Sequence, residues 1–362
     1  MKYKVLFILH TPPPMHGSAV VGQQIFSSSL INKTFVTKYL NINSSSNFNQ
    51  LGKKNFSKLF SIFYKYFKLI IHLIYFRPNL CYFALNSKGV AFYRDLIVVF
   101  ILKIFNKKII YHLHNKGIKS REKKITYKFF YKFIFKNEKV ILLSKKLFLD
   151  VNSFVKINQV SYCPNGIRKI SRLKPKIKNK KIQLLFFSNL FKFKGVFNLL
   201  EICCVLKKRK LDFTCNFVGD IGDIDLKAFN KSVLELNLSN HVIYHGPKFE
   251  TDKKAIFSKA DIFIHPTLDD CFPLVILEAM QYGLPIISTF EGGISDIIDN
   301  KQNGLLFESF DLLGMTNAIE NLIKNTRLRL NLGNQAKKKF NNELTFDIFE
   351  KRLNNILKSQ LI

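Results

Sequence analysis

Short runs of β-branched and aromatic residues, each followed by a longer amphipathic stretch, constrain the fold of this 362-residue chain most. That alternation is the mark of parallel sheets covered by helices. The first series predicts strands at Lys4–Leu9, Leu80–Ala84, Lys108–His112 and Lys139–Leu143. It ends at "SRLKPKIKNKK", residues 171–181, which is basic, poor in core residues and reads as an interdomain linker. A second series then starts afresh, with strands predicted at Ile182–Phe187, Thr214–Val218, His241–Tyr244, Asp261–Ile264, Pro285–Ser288 and Gly304–Phe307. The expectation is an α/β chain of two successive doubly wound, Rossmann-like domains, 1–170 and 182–342, with a last helical stretch over 343–362. At about 150 residues per domain the length agrees. Such sheets bind ligands at the carboxyl ends of their strands, so a ligand shared by two of them is expected in the cleft between them.

Composition excludes several classes. The six cysteines have no Cys-x-x-Cys spacing and no partnered histidine cluster, so reduced thiols in a cytosolic compartment are expected and a zinc site is not. The N-terminal apolar run Val5–Leu9 is too short for a signal peptide and ends in His10 and three prolines. The longest membrane-like stretch, "LIVVFILKIF" from Leu96, contains Lys103 and falls short of the about 20 apolar residues of a spanning helix. Charge is uneven. Residues 1–165 carry 27 Lys and Arg against four acids, Asp95, Glu122, Glu138 and Asp150, within a net charge of +32 for the chain. That half is suited to something anionic.

One carboxylate stands in an apolar run. In "HPTLDDCFPLVILEAMQYGLPIISTFEGG", His265 to Gly293, a strand is followed by a loop and then a helix. Pro273 suits the first helical position, and Gly283 stops the helix. The free N–H groups around Leu274 and Val275, with the helix dipole, make an anion site suited to a diphosphate. Glu278 lies about one and a half turns further in. A buried carboxylate there calls for two hydroxyl donors, as a ribose diol supplies, or for a Lys or Arg of the core. The residues alone leave both open. Asp270, in the loop, is placed to reach another part of the same ligand.

The wider pattern, P-T-x-x-D-x-F-P-L-V-x-L-E-A-M-x-x-G-x-P-I-I-S-T-x-x-G-G, resembles the donor site of family 4 glycosyltransferases, retaining enzymes of the GT-B fold. The resemblance extends through "SYCPNGI", "LLFFSNLFKFKGVFNLLE", "FVGD" and "IYHGPKFETDKKAIFSKADIFIHPT", in the family's order, from Ser161 to about Phe307. It implies two Rossmann-like domains facing each other across a cleft, with the final helix packing back on the first. Of the family's Glu-x7-Glu, Asp270 holds the first place and Glu278 the second. By resemblance Glu278 binds the nucleotide ribose and Asp270 the donor sugar. Backbone N–H groups of Cys271, Phe272, Leu274 and Val275 hold sugar and diphosphate, and Lys194 neutralises the diphosphate. Gly219 and His245-Gly246 fall where the family places the base, although a glycine after a strand also simply makes a turn, and Asp220 could equally cap the following helix. The family's "G-R-L" arginine is absent, the tripeptide here being Ser188-Asn189-Leu190.

In the first half, "HTPPPMHGSAVVGQ" puts Gly17 after the first strand, where the family brings backbone close to the donor, with His16 beside it. "IIYHLHNKG" carries the family's histidine near the reaction centre; His114 is favoured over His112, which shares its facing. The implied activity is retaining, metal-independent transfer of a hexosyl group from a nucleotide-diphosphate sugar, UDP favoured, to a glycan. No cofactor and no nucleic acid are expected. The patches Phe56–Phe76 and Arg121–Lys136 interleave lysine with aromatics, which suits peripheral contact with anionic lipid on the cytoplasmic side and a lipid-linked acceptor in bacterial surface-polysaccharide assembly. In the bland reading, the aromatics are core and the lysines are solvated. A GT-B sugar-nucleotide epimerase and a basic nucleic-acid-binding protein are the alternatives.

Overall fold

A computed structural model describes residues 2–43, 56–171 and 180–361, and the side chains of these except 56–59. The linker expected at 171–181 lies, from 172 to 179, outside the described residues. The chain divides into two compact units, residues 1–165 with 346–362, and residues 166–345.

Unit 1 contains β1 (Lys4–Leu9), α1 (Gly17–Phe26), α2 (Ser29–Thr34), β2 (Val36–Asn41), α3 (Phe56–Ile71), β3 (Leu80–Leu85), α4 (Gly89–Ile104), β4 (Ile109–Leu113), α5 (Ile125–Phe135), β5 (Lys139–Leu142), α6 (Phe148–Val151) and β6 (Val160–Tyr162). Its six strands are all parallel, in the order β2-β1-β3-β4-β5-β6. The central strands are apolar at nearly every position because helices cover both faces. One face, with Leu6, Ile8, Phe83, Tyr111 and Leu142, packs against α3, α4 and α5.

Unit 2 contains β7 (Ile182–Phe187), α7 (Val196–Lys208), β8 (Phe213–Val218), α8 (Leu226–Glu235), β9 (Val242–Tyr244), α9 (Glu250–Lys259), β10 (Ile262–His265), α10 (Leu274–Gln281), β11 (Ile286–Thr289), α11 (Ile294–Ile297), β12 (Leu305–Phe307), α12 (Leu312–Lys324) and α13 (Thr326–Glu343). Its sheet, also all parallel, runs β12-β11-β10-β7-β8-β9. The segment after Asn165 packs here, since the Ile167 N–H donates to the Leu344 carbonyl and the Ile170 N–H to Gln281 Oε1. The last helix, α14 (Phe346–Ser359), belongs to unit 1, where Ser28 Oγ, which also caps α2, donates to Glu350 at 2.6 Å.

Two strands escape the sequence reading. Both β2 (VTKYLN, half-exposed) and β6 (VSY, three residues) are sheet edges and lack the apolar run of the centre. All six cysteines are free. Among the described residues no helix is long and apolar enough to cross a membrane.

Close packing fixes one glycine of α1 and not the other. A Cβ on Gly22 would lie 1.9 Å from the His10 carbonyl oxygen, whereas one on Gly17 meets nothing within 4 Å. Gly22→Ala is therefore expected to cost about 1–3 kcal/mol of unit 1 stability, and Gly17→Ala to leave it unchanged. Thermal unfolding of the two variants beside the parent checks this.

Candidate functional site

In each unit, strand order reverses at one place, and there the loops at the carboxyl ends diverge and leave room for a ligand. In unit 2 the reversal lies between β7 and β10. The loop after β7 runs through a short 3-10 turn, Lys192–Lys194, to Gly195, whose φ of +77° starts α7. A Cβ there would lie 1.9 Å from the Pro266 carbonyl oxygen. The two loops are pinned by Leu268 N–H donating to the Phe193 carbonyl at 2.7 Å and by the Thr267 hydroxyl donating to the same oxygen.

This pinning brings Lys194 to Asp270. Lys194 Nζ lies 2.5 Å from Asp270 Oδ2, and His265 Nε2 lies 3.0 Å from the same oxygen. The other oxygen of Asp270 accepts the Cys271 N–H at 2.9 Å. Burial by itself would push the Asp270 carboxyl up, but the Lys194 ammonium and His265 outweigh it and hold it well below the usual carboxylate range. Burial lowers His265, partly offset by Asp270. The sequence reading gave no role to His265; its sign was a histidine ending an otherwise apolar strand five residues before Asp270. The first glycine of the G-G that ends the pattern, Gly292 (φ +52°), backs this loop, since a Cβ there would lie 2.2 Å from the Asp270 carbonyl oxygen.

The helix that follows differs slightly from expectation. Pro273 flanks α10 as its N-cap rather than opening it, because its ψ of 114° is extended. No side chain caps this end. Ile276 N–H bonds back to the Pro273 carbonyl, and Leu274 and Val275 form the first turn.

Glu278 is only half-buried on α10, and it has an internal partner: Lys253 Nζ of α9 lies 2.6 Å from Oε1. The lysine also stands 5.0 Å over the Phe187 ring, above the stack Phe187–Phe257–Tyr282. The basic residue that the sequence could not point to is thus Lys253. It satisfies half of the carboxylate. Oε2 is buried and has no hydrogen-bond partner, so one acceptor on this helix still calls for a donor.

Gly219 and Gly246 meet at the ends of β8 and β9, where the Gly219 N–H donates to the Gly246 carbonyl. A Cβ on Gly219 would lie 2.1 Å from the Ser188 carbonyl oxygen. Asn189, which stands in the arginine's place, accepts the Asp220 N–H at 3.0 Å and so has a structural task. Asp220 does not cap α8. Asp225 does, accepting the Ala228 N–H.

In unit 1 the reversal lies between β1 and β3. His10 and Asn86 sit at those strand ends, 3.0 Å apart between Nε2 and Nδ2. Arg94 and the fully buried Asp95 close the cluster, with Arg94 Nη2 2.6 Å from Asp95 Oδ1 and the Asn86 N–H on Asp95 Oδ2. An acid therefore reaches a strand end in this half, held there by arginine and amide. His16 caps α1 by accepting the Ala19 N–H. His112 is core, its Nδ1 2.6 Å from the Tyr82 hydroxyl. His114 is half-buried, its ring 4.1 Å from that of His112, and its Nδ1 has no partner. Burial, aided by the charge of a protonated His16, lowers His114 to about 3, so it is neutral at physiological pH. Among the described residues no three His, Cys, Asp or Glu side chains are grouped to hold a metal.

Known proteins carry the same architecture. Residues 167–339 match the family model "Glycosyl transferases group 1". An uncharacterized glycosyltransferase of Haemophilus influenzae is 30% identical over 176 residues, 48% of each chain. The matched stretch spans about half the length of the first curated relatives. Sucrose-phosphate synthase of Thermosynechococcus elongatus superposes with a TM-score of 0.77 at 17% identity, covering 99% of both chains. Anabaena HepE, solved in complex with UDP-glucose, gives 0.73 at 18% identity, covering 98% of this chain and 99% of its own. The fold is GT-B.

Because Asp270 titrates lower in the folded than in the unfolded chain, its stabilisation is complete at neutral pH and is lost as pH falls below about 4. Lys194→Met removes the cation and leaves a largely buried carboxylate, at a cost of about 3 kcal/mol at pH 7. That deficit is expected to shrink in acid, as Asp270 takes up a proton. Unfolding of parent and variant at pH 7 and at about pH 3 measures it, and an equal deficit at both would contradict the pairing.

Proposed function

We propose that the protein is a family 4 glycosyltransferase that moves a hexosyl group from a nucleotide-diphosphate sugar, a UDP-sugar by preference, to a glycan acceptor with retention of configuration. The observation that carries the reading is Glu278. Its Oε2 is buried and unpartnered, within the stretch that matches the glycosyl transferases group 1 model, on a helix whose first turn no side chain caps. A ribose hydroxyl is a fitting donor to that oxygen. Lys194 and the first-turn N–H groups of Leu274 and Val275, with that of Phe272, suit the diphosphate. The UDP-glucose held by Anabaena HepE supports the preference for UDP.

In the reaction the acceptor hydroxyl attacks the anomeric carbon, and the bond from that carbon to the diphosphate oxygen breaks. The departing phosphate takes the acceptor's proton. The protein's task is then charge stabilisation and alignment. Two features support this route over one with a protein base. All four acids of residues 1–165 are engaged: Asp95 with Arg94, Glu138 with Lys103, Glu122 with Lys119, and Asp150 with the backbone N–H groups of Gly117, Ile118 and Lys119. His114, at about 3, is a weak base. His114 and Gly17 are assigned to the transferred sugar, and Gly219 and Gly246 to the base. No metal or cofactor is needed. The acceptor is assigned as a lipid-linked saccharide of bacterial surface-polysaccharide assembly, met on the cytoplasmic face of the membrane.

Glu278→Ala is expected to keep the fold and to weaken UDP-sugar binding by about tenfold or more, one charge-assisted hydrogen bond being worth about 1.5–3 kcal/mol. Titration calorimetry beside circular dichroism checks this. A folded variant with the parent's affinity would overturn the reading of Glu278.

A further inference from the structure

We propose that the outer face of α3, α4 and α5 in unit 1 is the surface by which the protein lies on an anionic lipid bilayer. The stretch that looked most like a membrane span, Leu96 onward, is part of α4 and buries only one side. Its other side is an exposed ridge, Val90, Tyr93, Ile97, Phe100 and Ile104, spaced three or four residues apart with Val90 87% accessible. On α3 and the helical turn His72–Phe76 that continues it, a second ridge, Phe60, Phe63, Phe67, Ile71 and Ile74, has the same spacing, while Leu69 and Leu73 face the core. Ile125 and Phe129 form a third on α5.

The ridges belong to one layer. Phe100 stacks on Phe133 of α5 at 4.6 Å, Tyr93 lies 5.9 Å from Tyr127, and the Tyr66 hydroxyl of α3 donates to the Arg94 carbonyl of α4. An exposed apolar surface that continues over three helices marks an interaction site.

Charge selects the occupant. The sole acid on the three helices is Asp95, fully buried and paired with Arg94. Lys68 and, around α5, Lys124, Lys128, Lys132 and Lys136 are exposed beside the apolar ridges. A second copy docking face to face would set lysine against lysine. Anionic lipid meets both features, with acyl chains for Phe and Ile and headgroups for the lysines. No described helix is long and apolar enough to cross a membrane, so the contact lies on the surface.

This proposal gives a place to the membrane contact named above and rests on that reading for its purpose. Vesicle binding needs neither donor nor acceptor, so the two fail separately. The test is flotation of the full chain with phosphatidylglycerol vesicles and with phosphatidylcholine vesicles, at about 0.1 M and about 0.5 M salt. The parent is expected to float with the anionic vesicles and to lose most binding in high salt or with neutral lipid. Phe67→Ser, Ile97→Ser and Phe129→Ser together, one change per ridge, are expected to cut binding by about tenfold or more, while Leu234→Ser with Leu330→Ser, exposed in unit 2, leaves it unchanged. Undiminished binding by the folded triple variant would overturn the face and leave the membrane contact standing. No flotation of the parent would overturn both, with donor binding still intact. A concentration-dependent dimer that the triple variant abolishes, without vesicle binding, would make the face a contact between copies.

Discussion

A carboxylate taken out of water must be met by a cation or by donors, and that requirement organises the polar parts of both units. Asp270 is met by Lys194, His265 and a backbone N–H. Asp95 is met by Arg94 and Asn86. Each lies beside the place where its sheet reverses order and the loops at the strand ends diverge. Glu278 departs from this rule by one oxygen. Lys253 satisfies Oε1 and leaves Oε2 buried without a donor, and the functional reading hangs on that difference.

Much of the fold was legible because the buried strands of parallel sheets are apolar on both faces. Lys4–Leu9 and Ile182–Phe187 have the bounds that their sequences predict, and the other central strands agree within a residue or two. The edges β2 and β6 were not legible, being short or half-exposed. Of the site, the apolar helix, its glycine stop and the Asp270–Glu278 spacing could be read directly. Partners distant in sequence could not. Lys253 lies 25 residues from Glu278, Lys194 lies 76 from Asp270, and nothing in either local pattern names the other. The role of Gly22 is illegible for a similar reason, since the His10 carbonyl that it accommodates lies outside its own helix.

The basic, aromatic half resolves along the same line. In the two patches, Leu69, Leu73, Tyr127 and Tyr131 are core, as the bland reading holds, while Phe63, Phe67 and Phe129 stand in the open. Periodicity identifies a helix with two apolar faces but does not tell which one the sheet covers. The ridge on α4 lies inside a run apolar enough to resemble a span.

The most direct test of the account is to compare the dissociation constants of UDP and 2′,3′-dideoxy-UDP for the parent protein. If Oε2 of Glu278 takes a ribose hydroxyl, the dideoxy nucleotide loses a charge-assisted hydrogen bond and leaves a buried carboxylate oxygen unpaired. Its binding should then be weaker by about tenfold or more. Equal affinity for the two nucleotides, or no affinity for either, would contradict the account.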